Sequence, residues 1–201
     1  YPLLLHPFYP ETTLNAFFNQ AARFIYHPAL ITPNPLGEGW AWDDYPYYYA
    51  AERSAFPIYG NAVQATLKDN ILELTPSFFE KFVARDSVGS KFKRLHSANT
   101  FSYNLSQWQK KDTLTRPFIT SDSLFVKLLS ESSGNEVVLA DKPRDDLPWE
   151  ELYTDDDAPL YRALLQDSDN GIAEALLLMI GQGKFNEMDS QKAIDSILAS
   201  W

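Results

Sequence analysis

The chain contains 201 residues, of which 45% are hydrophobic and 22% are charged, and its formal net charge is −10 at pH 7. This composition is typical of a globular protein with a sizeable core, and the acidic balance excludes nucleic acid as a partner because no basic stripe is present to neutralise phosphates. The absence of cysteine excludes disulfides and thiolate metal sites, and the absence of an apolar run of roughly 20 residues excludes a transmembrane segment within this chain.

The first 60 residues are rich in proline and aromatic side chains. Apolar side chains recur at helical spacing over residues 11–25, after a cap at Thr12 or Thr13, and predict one helix. Residues 33–49 contain too much Pro, Gly and Trp for a regular element and predict an ordered loop packed by aromatic rings. The chain starts without an initiator methionine or a leader, so we expect it to be a segment of a longer protein.

Short strand patterns dominate residues 61–116. Residues 62–67 and 71–75 flank a turn at Asp69 and Asn70, and this pattern predicts a β-hairpin. Further short patterns lie at residues 78–85, 91–95, 100–108 and 112–116. We therefore expect a small β-rich unit in this part of the chain.

Helices return after residue 120. Ser121 and Asp122 supply caps for a predicted helix with an apolar face, and residues 135–139 predict a short strand. An acidic connector over residues 141–151 and acidic caps at residues 155–157 precede three further helices. These helices are predicted at residues 159–166, 170–181 and 190–198.

A Ser-x-Asn motif lies between two of these helices, at Ser168, Asp169 and Asn170. Penicillin-binding enzymes use such a triplet because its hydroxyl relays a proton and its amide holds a substrate carbonyl. The spacing also occurs at residues 97–99 and 133–135, where it does not lie between two helical patterns. The helical context favours Ser168 and Asn170 as the functional pair.

The loop at residues 37–49 concentrates tryptophan, tyrosine and acidic side chains. Three interpretations are open for it. The loop is a structural element whose rings fill space, a recognition rim with a carboxylate for a cationic ligand group, or a platform that stacks on sugars.

Several long motifs occur in a fixed order along the chain. They are Gly39-Trp40-x-Trp42-Asp43-Asp44, Tyr47-Tyr48-Tyr49, Glu52-Arg53-Ser54-x-Phe56-Pro57-Ile58-Tyr59-Gly60-Asn61, and Ser168-Asp169-Asn170 followed by Ala173-Glu174-x-Leu176-Leu177. With these motifs the chain resembles the D-alanyl-D-alanine carboxypeptidase/endopeptidases of the class C, penicillin-binding protein 4-like type, and it is most similar to Bacteroidetes members. The resemblance spans essentially the whole chain.

The resemblance implies an α+β fold in which a serine-transpeptidase, beta-lactamase-like domain is interrupted by an inserted domain, itself interrupted by another. Residues 1–60 and 117–150 would form the inserted α/β domain, and residues 61–116 a nested small β-rich domain. Residues 151–201 would then be the helical part of the penicillin-binding catalytic domain.

The resemblance also implies roles for five residues. Ser168 would be the catalytic proton relay and Asn170 the amide that orients the stem peptide. Asp44, Tyr49 and Asp169 would bind substrate, with Asp44 directed towards the diaminopimelate side chain. The implied partners are peptidoglycan stem peptides and beta-lactam antibiotics, with no metal and no organic cofactor, and the implied location is the periplasm, with a signal peptide upstream.

Two motifs that the family needs are missing from this chain or lie in an unsuitable place. The chain has no Lys-Thr-Gly, and its one Ser-x-x-Lys, from Ser90 to Lys93, lies in the short-strand region rather than at a helix start. We therefore expect the nucleophile before Tyr1 and the Lys-Thr-Gly after Trp201, and an isolated chain without activity. The alternatives are a non-catalytic peptidoglycan-binding module and a carbohydrate-binding domain.

Overall fold

The structure, a computed structural model, describes residues 3–9, 13–20, 22–109, 112–144, 146, 148, 150–153 and 156–201. Helices and strands both occur, which confirms the predicted α+β class. The helices are α1 (Thr13–Phe18), α2 (Asp122–Ser133), α3 (Ala158–Leu165), α4 (Asn170–Phe185) and α5 (Ser190–Leu198). The strands are β1 (Arg23–Tyr26), β2 (Ala62–Lys68), β3 (Ile71–Thr75), β4 (Val83–Arg85), β5 (Phe92–Arg94), β6 (Phe101–Tyr103), β7 (Thr113–Pro117) and β8 (Glu136–Leu139).

The strands of the described residues form three small sheets. Strand β1 pairs in parallel with β8, from Arg23 opposite Glu136 to Tyr26 opposite Leu139. Strand β2 lies between its hairpin partner β3 and strand β7, antiparallel to both. In the third sheet β6 lies between β4, which is parallel to it, and β5, which is antiparallel. The predicted hairpin over residues 62–75 is therefore confirmed.

The predicted helix over residues 11–25 is wrong in its second half. Helix α1 ends at Phe18, and residues 23–26 form strand β1 instead. The cause is a long-range contact: the side-chain amide of Asn135 donates to the carbonyls of Phe18 and Gln20, both at 2.8 Å. This contact ends the helix and aligns β1 with β8, so pairing overrides the helical spacing. Thr12, one of the two predicted caps, lies outside the described residues.

Two predicted strands begin or end as 3₁₀ turns. Residues 77–82 form such a turn, and only Val83–Arg85 extends as a strand. After Phe101–Tyr103 the side chain of Asn104 accepts a hydrogen bond from the backbone N–H of Ser106 and starts another turn. Short polar side chains of this kind compete with the sheet for backbone groups, which shortens the strands.

Among the residues that the structure describes, two hydrophobic clusters hold the fold together. The larger cluster joins the small sheets to α2, and within it the fully buried ring of Phe79 lies 5.5 Å from that of Phe101 and 5.3 Å from that of Phe118. The smaller cluster contains Leu3, Leu160, Ala163 and Ile172 and packs the start of the chain against α3 and α4. Because the larger core is continuous between residues 61–116 and their flanks, the proposed domain boundaries stay a prediction.

Candidate functional site

The Ser-Asp-Asn loop joins α3 to α4 and is fixed by its central residue. Asp169 is the N-cap of α4: its Oδ1 accepts a hydrogen bond from the backbone N–H of Ile172 at 3.0 Å. Its own backbone N–H donates to the carbonyl of Ala163 at 3.1 Å. Ser168 and Asn170 remain exposed on either side of the buried Asp169. The loop therefore offers a hydroxyl and an amide to solvent from one anchored turn.

Ser168 adopts a backbone conformation that side chains other than glycine rarely take. Its φ is 55°, in the left-handed region, which costs roughly 1–2 kcal/mol for a residue with a Cβ. Such strain persists only where the neighbouring residues are held firmly, and it is concentrated at functional sites. Here Asp167 and Asp169 are both held by tyrosines, as described next.

A buried hydrogen-bond network surrounds Asp169. The hydroxyl of Tyr48 donates to Oδ2 of Asp169 at 2.9 Å and lies 2.9 Å from Nε2 of His6. Burial lowers the pKa of His6 to about 4, although the nearby Asp169 opposes this shift, so the imidazole is neutral at pH 7. Burial, followed by the charge of Asp169, raises the pKa of Tyr48. The phenol therefore stays protonated as the donor.

A second tyrosine holds the other side of the loop. The hydroxyl of Tyr9 donates to Oδ2 of Asp167 at 3.0 Å. Loss of hydration and this hydrogen bond raise the pKa of Tyr9 to about 12, so this phenol also remains a donor at pH 7. Residues 3–9 thus contact the loop through His6, by way of Tyr48, and through Tyr9.

The predicted rim residues Asp44 and Tyr49 are paired with each other at the surface. Asp44 accepts from the backbone N–H of Ala41 at 2.9 Å and from the hydroxyl of Tyr49 at 2.8 Å. These two hydrogen bonds, the backbone one first, lower the pKa of Asp44, so a carboxylate is present at neutral pH. The exposed ring of Tyr49 stacks on Tyr47 with 5.6 Å between centroids. A charged acceptor with flat apolar faces beside it suits an ammonium group on a short side chain.

The structure connects the rim to the Ser-Asp-Asn loop through two neighbouring tyrosines. Tyr48 and Tyr49 lie on the 3₁₀ turn Tyr48–Ala50, which packs against α4. Tyr48 binds Asp169 of the loop, whereas Tyr49 binds Asp44 of the rim. A chain of contacts therefore runs from Asp44 through Tyr49 and Tyr48 to Asp169.

Arg53 adds a second connection between the aromatic loop and the helices. Its side chain is 7% exposed. Its guanidinium donates to Glu174 on α4 at 3.2 Å and to the hydroxyl of Ser190 on α5 at 2.9 Å. It also donates to the carbonyls of Asn34 and Leu36, at 2.9 and 2.7 Å. Planar guanidinium groups suit such multiple, buried contacts.

A groove of about 320 Å³ is lined mainly by apolar residues, and the aromatic rings of Trp40, Trp42 and Tyr45 are part of its lining. His96 is stacked on Trp42 with 3.4 Å between ring centroids, and the guanidinium of Arg94 lies 4.5 Å from the centre of the Tyr45 ring. Trp42 is 75% exposed. The aromatic loop is therefore ordered by stacking, as predicted, and still presents rings to solvent.

The Ser90 motif lacks the setting of a nucleophile. Ser90 is exposed, and its partner Lys93 lies on strand β5 with its ammonium 3.8 Å from Asp86. Lys91 is paired with Asp112 at 2.6 Å. Neither lysine lies at the start of a helix that carries the serine, so this motif lacks the arrangement in which a lysine activates a serine nucleophile.

Sequence reasoning assigned no role to His6, Tyr48 or Arg53. Tyr48 and Arg53 lie within the motifs that carry the family resemblance, but local spacing does not reveal their partners. Tyr48 and Asp169 are separated by 121 positions. The buried position of Asp169 also changes its expected part: its carboxylate oxygens are engaged within the protein, which fits positioning of the loop rather than contact with substrate.

Comparison with known structures defines the class of this fold. Six chains of known structure match significantly. One of them is penicillin binding protein 4 from Haemophilus influenzae, with a TM-score of 0.62 and 17% sequence identity. The match covers 88% of this chain and 45% of that protein, so the chain spans less than half of the length of the structure it matches. At this identity the likeness establishes the fold alone, that of part of a penicillin-binding protein.

The family follows from the sequence. Residues 27–200 match the D-Ala-D-Ala carboxypeptidase 3 (S13) family, and the chain belongs to that family. No curated protein sequence matches the chain significantly. In the part of the chain that the structure describes, no helix has the length and apolar character needed to cross a membrane.

Proposed function

We propose that this chain is part of a serine-type D-Ala-D-Ala carboxypeptidase/endopeptidase that cleaves peptidoglycan stem peptides through an acyl-serine intermediate. The observation that carries the proposal is the exposure of Ser168 and Asn170 on either side of a buried helix cap, in a chain of the S13 family. A hydroxyl and an amide held in this way can act on one bound peptide without rearrangement.

In the proposed reaction a serine outside this sequence attacks the carbonyl carbon of the penultimate D-alanine and gives its hydroxyl proton to the lysine of its Ser-x-x-Lys motif, which returns the proton by way of Ser168. The carbonyl–nitrogen bond breaks, and Ser168 passes a proton to the departing amine of the terminal D-alanine. Water then attacks the acyl ester and restores the serine. Asn170 holds the peptide backbone during both steps. Because the nucleophile and the Lys-Thr-Gly lie elsewhere, the isolated chain is expected to be inactive.

Asp44 and Tyr49 would form the specificity rim. The carboxylate of Asp44 would accept hydrogen bonds from the ammonium group of a diaminopimelate side chain, and Tyr49 would pack beside it. Beta-lactam antibiotics would imitate the D-alanyl-D-alanine end and remain attached to the serine. With these substrates the intact protein would act outside the cytoplasmic membrane, in the periplasm.

Fluorescent penicillin tests the enzymatic proposal. We expect labelling of the full-length gene product that contains this chain and no labelling of the chain alone. If the full-length protein is not labelled, a non-catalytic wall-binding module is the better description.

Muropeptide binding tests the rim. Asp44→Asn should abolish binding of soluble muropeptides with diaminopimelate, because the amide does not provide the negative charge that attracts the ammonium. Asp43→Asn, a change at the neighbouring exposed carboxylate, is the matched control and should leave binding intact. Equal affinities for wild type and Asp44→Asn would remove the rim role.

The exposed ring of Trp42 in the aromatic groove favours one further candidate, a carbohydrate-binding function. Binding of this protein to glycan strands stripped of peptide, lost in Trp42→Ala, would support it. Absence of binding to stripped strands would reject it.

A further inference from the structure

The network around Asp169 joins three distant parts of the chain. His6 comes from the initial segment, Tyr48 from the turn after the aromatic loop, and Asp169 from the start of α4. The side chains of His6 and Asp169 are only 1% and 3% exposed. Polar groups buried this deeply stabilise a structure only when they are hydrogen-bonded. In this network the polar side-chain atoms of His6, Tyr48 and Asp169 all have hydrogen-bond partners.

The hydrogen bonds run in one direction. Nδ1 of His6 accepts from the backbone N–H of Phe8 at 3.3 Å, so the neutral imidazole carries its hydrogen on Nε2. Nε2 then donates to the oxygen of Tyr48, whose single hydrogen is given to Oδ2 of Asp169. The remaining oxygen of Asp169 accepts from Ile172 at the helix start. Each side chain therefore fixes the orientation of the next.

The space around the network leaves little room for movement. A Cβ added to Gly60 would lie 3.1 Å from Nε2 of His6 and 3.2 Å from the hydroxyl of Tyr48. A Cβ added to Gly171 would lie 3.3 Å from Oδ1 of Asp169. Two glycines thus allow backbone to approach the network closely on both sides.

These contacts bear on the two exposed side chains of the loop. Ser168 keeps its left-handed φ of 55° between two aspartates that are both held by tyrosines. If Asp169 loses its hydrogen bond to Tyr48, its side chain keeps only the hydrogen bond between Oδ1 and the backbone N–H of Ile172. Ser168, the strained residue before it, can then relax. A displacement of about 1 Å in a group that acts on a substrate lowers the rate by roughly 100-fold.

We propose that His6, Tyr48 and Asp169 act together as positioning residues that hold Ser168 and Asn170 in their reactive placement. The inference rests on the proposed function of that loop. It assigns no contact with substrate to the three residues: they act through the loop backbone. It also gives the first residues of the described chain a part in the reaction, although they lie far from the motif in sequence.

The decisive variant is Tyr48→Phe in the full-length protein, because it deletes one hydroxyl and keeps the ring. We expect the second-order rate constant for acylation by fluorescent penicillin to fall about 10- to 100-fold. Hydrogen exchange of the backbone amides at residues 166–173 should become faster. Tyr26→Phe is the matched control: it removes another tyrosine–aspartate bond, to Asp122 at 3.3 Å, away from the loop. Its acylation rate and exchange should match wild type.

A pair of substitutions at His6 separates positioning from general stability. Glutamine can still donate an N–H to Tyr48, whereas leucine fills similar space without a donor. We expect His6→Gln to keep acylation within a few-fold of wild type and His6→Leu to reproduce the loss seen in Tyr48→Phe. Melting temperatures of all variants show whether a change in rate merely follows a change in stability. If Tyr48→Phe does not fold, the His6 pair decides the question.

The outcomes distinguish this inference from the function on which it rests. If wild-type protein is not acylated, the proposed function fails and the inference fails with it. If wild type is acylated and Tyr48→Phe or His6→Leu reacts equally fast, only the inference is overturned. It is also overturned if acylation falls while exchange at residues 166–173 stays unchanged, because the loop would then not be what the network holds.

Discussion

Two adjacent tyrosines make the same chemical bond in opposite environments. Tyr48 donates to Asp169 at 2.9 Å within the protein, across 121 positions of sequence. Tyr49 donates to Asp44 at 2.8 Å on the surface, across five positions. Bond length therefore does not distinguish them. Burial distinguishes them, because no water can replace the lost partner of a buried donor or acceptor. An exposed donor or acceptor that loses its partner binds water instead, so its loss costs less free energy.

The local backbone explains how neighbours reach such different places. A 3₁₀ turn has three residues per turn, so adjacent side chains leave it about 120° apart. On the turn Tyr48–Ala50 one side chain enters the space between the initial segment and α4, and the next remains exposed. The buried tyrosine suits a permanent structural bond. The exposed pair suits a bond that a ligand can replace.

The largest expected effect is a decrease in the free energy of unfolding at low pH, caused by the buried His6 next to Tyr48. The pKa of His6 is about 4 in the folded protein and about 6.5 when unfolded, so the unfolded chain binds the proton first as pH falls. Stability should therefore decrease between about pH 6.5 and pH 4, by up to about 3 kcal/mol from this group. Urea unfolding across this range should show a smaller decrease in His6→Gln. Equal decreases in both proteins would contradict the prediction.

The second-largest expected effect on stability follows from removing the buried hydroxyl of Tyr48. Tyr48→Phe leaves Oδ2 of Asp169 and the N–H of His6 without a partner, so the free energy of unfolding should fall by about 2 kcal/mol at pH 7. Chemical denaturation of the full-length protein measures this change. A shift smaller than that of the surface variant Tyr49→Phe would reverse the comparison.

A crowding substitution beside the network should have a smaller effect. Gly60 has a φ of 58° and lies against His6 and Tyr48, so Gly60→Ala combines backbone strain with a close contact. We expect a loss of about 1 kcal/mol in the free energy of unfolding. Gly134→Ala is an informative control, since Gly134 also has a positive φ, of 69°, but its added Cβ meets no atom within 4 Å. The difference between the two variants isolates the crowding.

The smallest expected effect on stability lies on the exposed side. Tyr49→Phe removes a solvated hydroxyl, so the melting temperature should not change measurably. The pKa of Asp44 should nevertheless rise, because the hydrogen bond from Tyr49 is one of the two that lower it. Nuclear magnetic resonance titration of the Asp44 carboxyl carbon measures this. An unchanged pKa would mean that the Tyr49 bond does not persist in solution.

Local patterns predicted the fold well where the determinants are local. The hairpin of β2 and β3, the capped helix α2 and the last helix α5 follow from turn residues, caps and apolar spacing that lie within each element. The error at residues 19–20 and 22–25 has a different origin. Apolar residues there fit a helix, but Asn135 ends the helix and β8 supplies a strand partner, and neither is visible in the local sequence.

In the candidate site, too, some residues could be predicted from the sequence and others could not. The spacing of Ser168 and Asn170 between two helices marked them, whereas Asp44 was marked only by the family resemblance, because its aromatic surroundings left three interpretations open. The residues that hold them were not assigned, because the significance of Tyr48 and Arg53 depends on contacts with α4 and α5 that only folding creates. Motifs therefore identified the exposed groups, and the structure was needed for their supports.

Strands β1 and β8 are far apart in the sequence, so β1 is synthesised long before the strand with which it pairs. Arg23 leaves the ribosome long before its partner Glu136, and at about 5–20 residues per second the delay is on the order of ten seconds. During this time the first strand presents an open edge beside the rings of Phe18 and Phe24. A nascent chain that stalls before residue 135 would expose this edge to self-association until β8 is made.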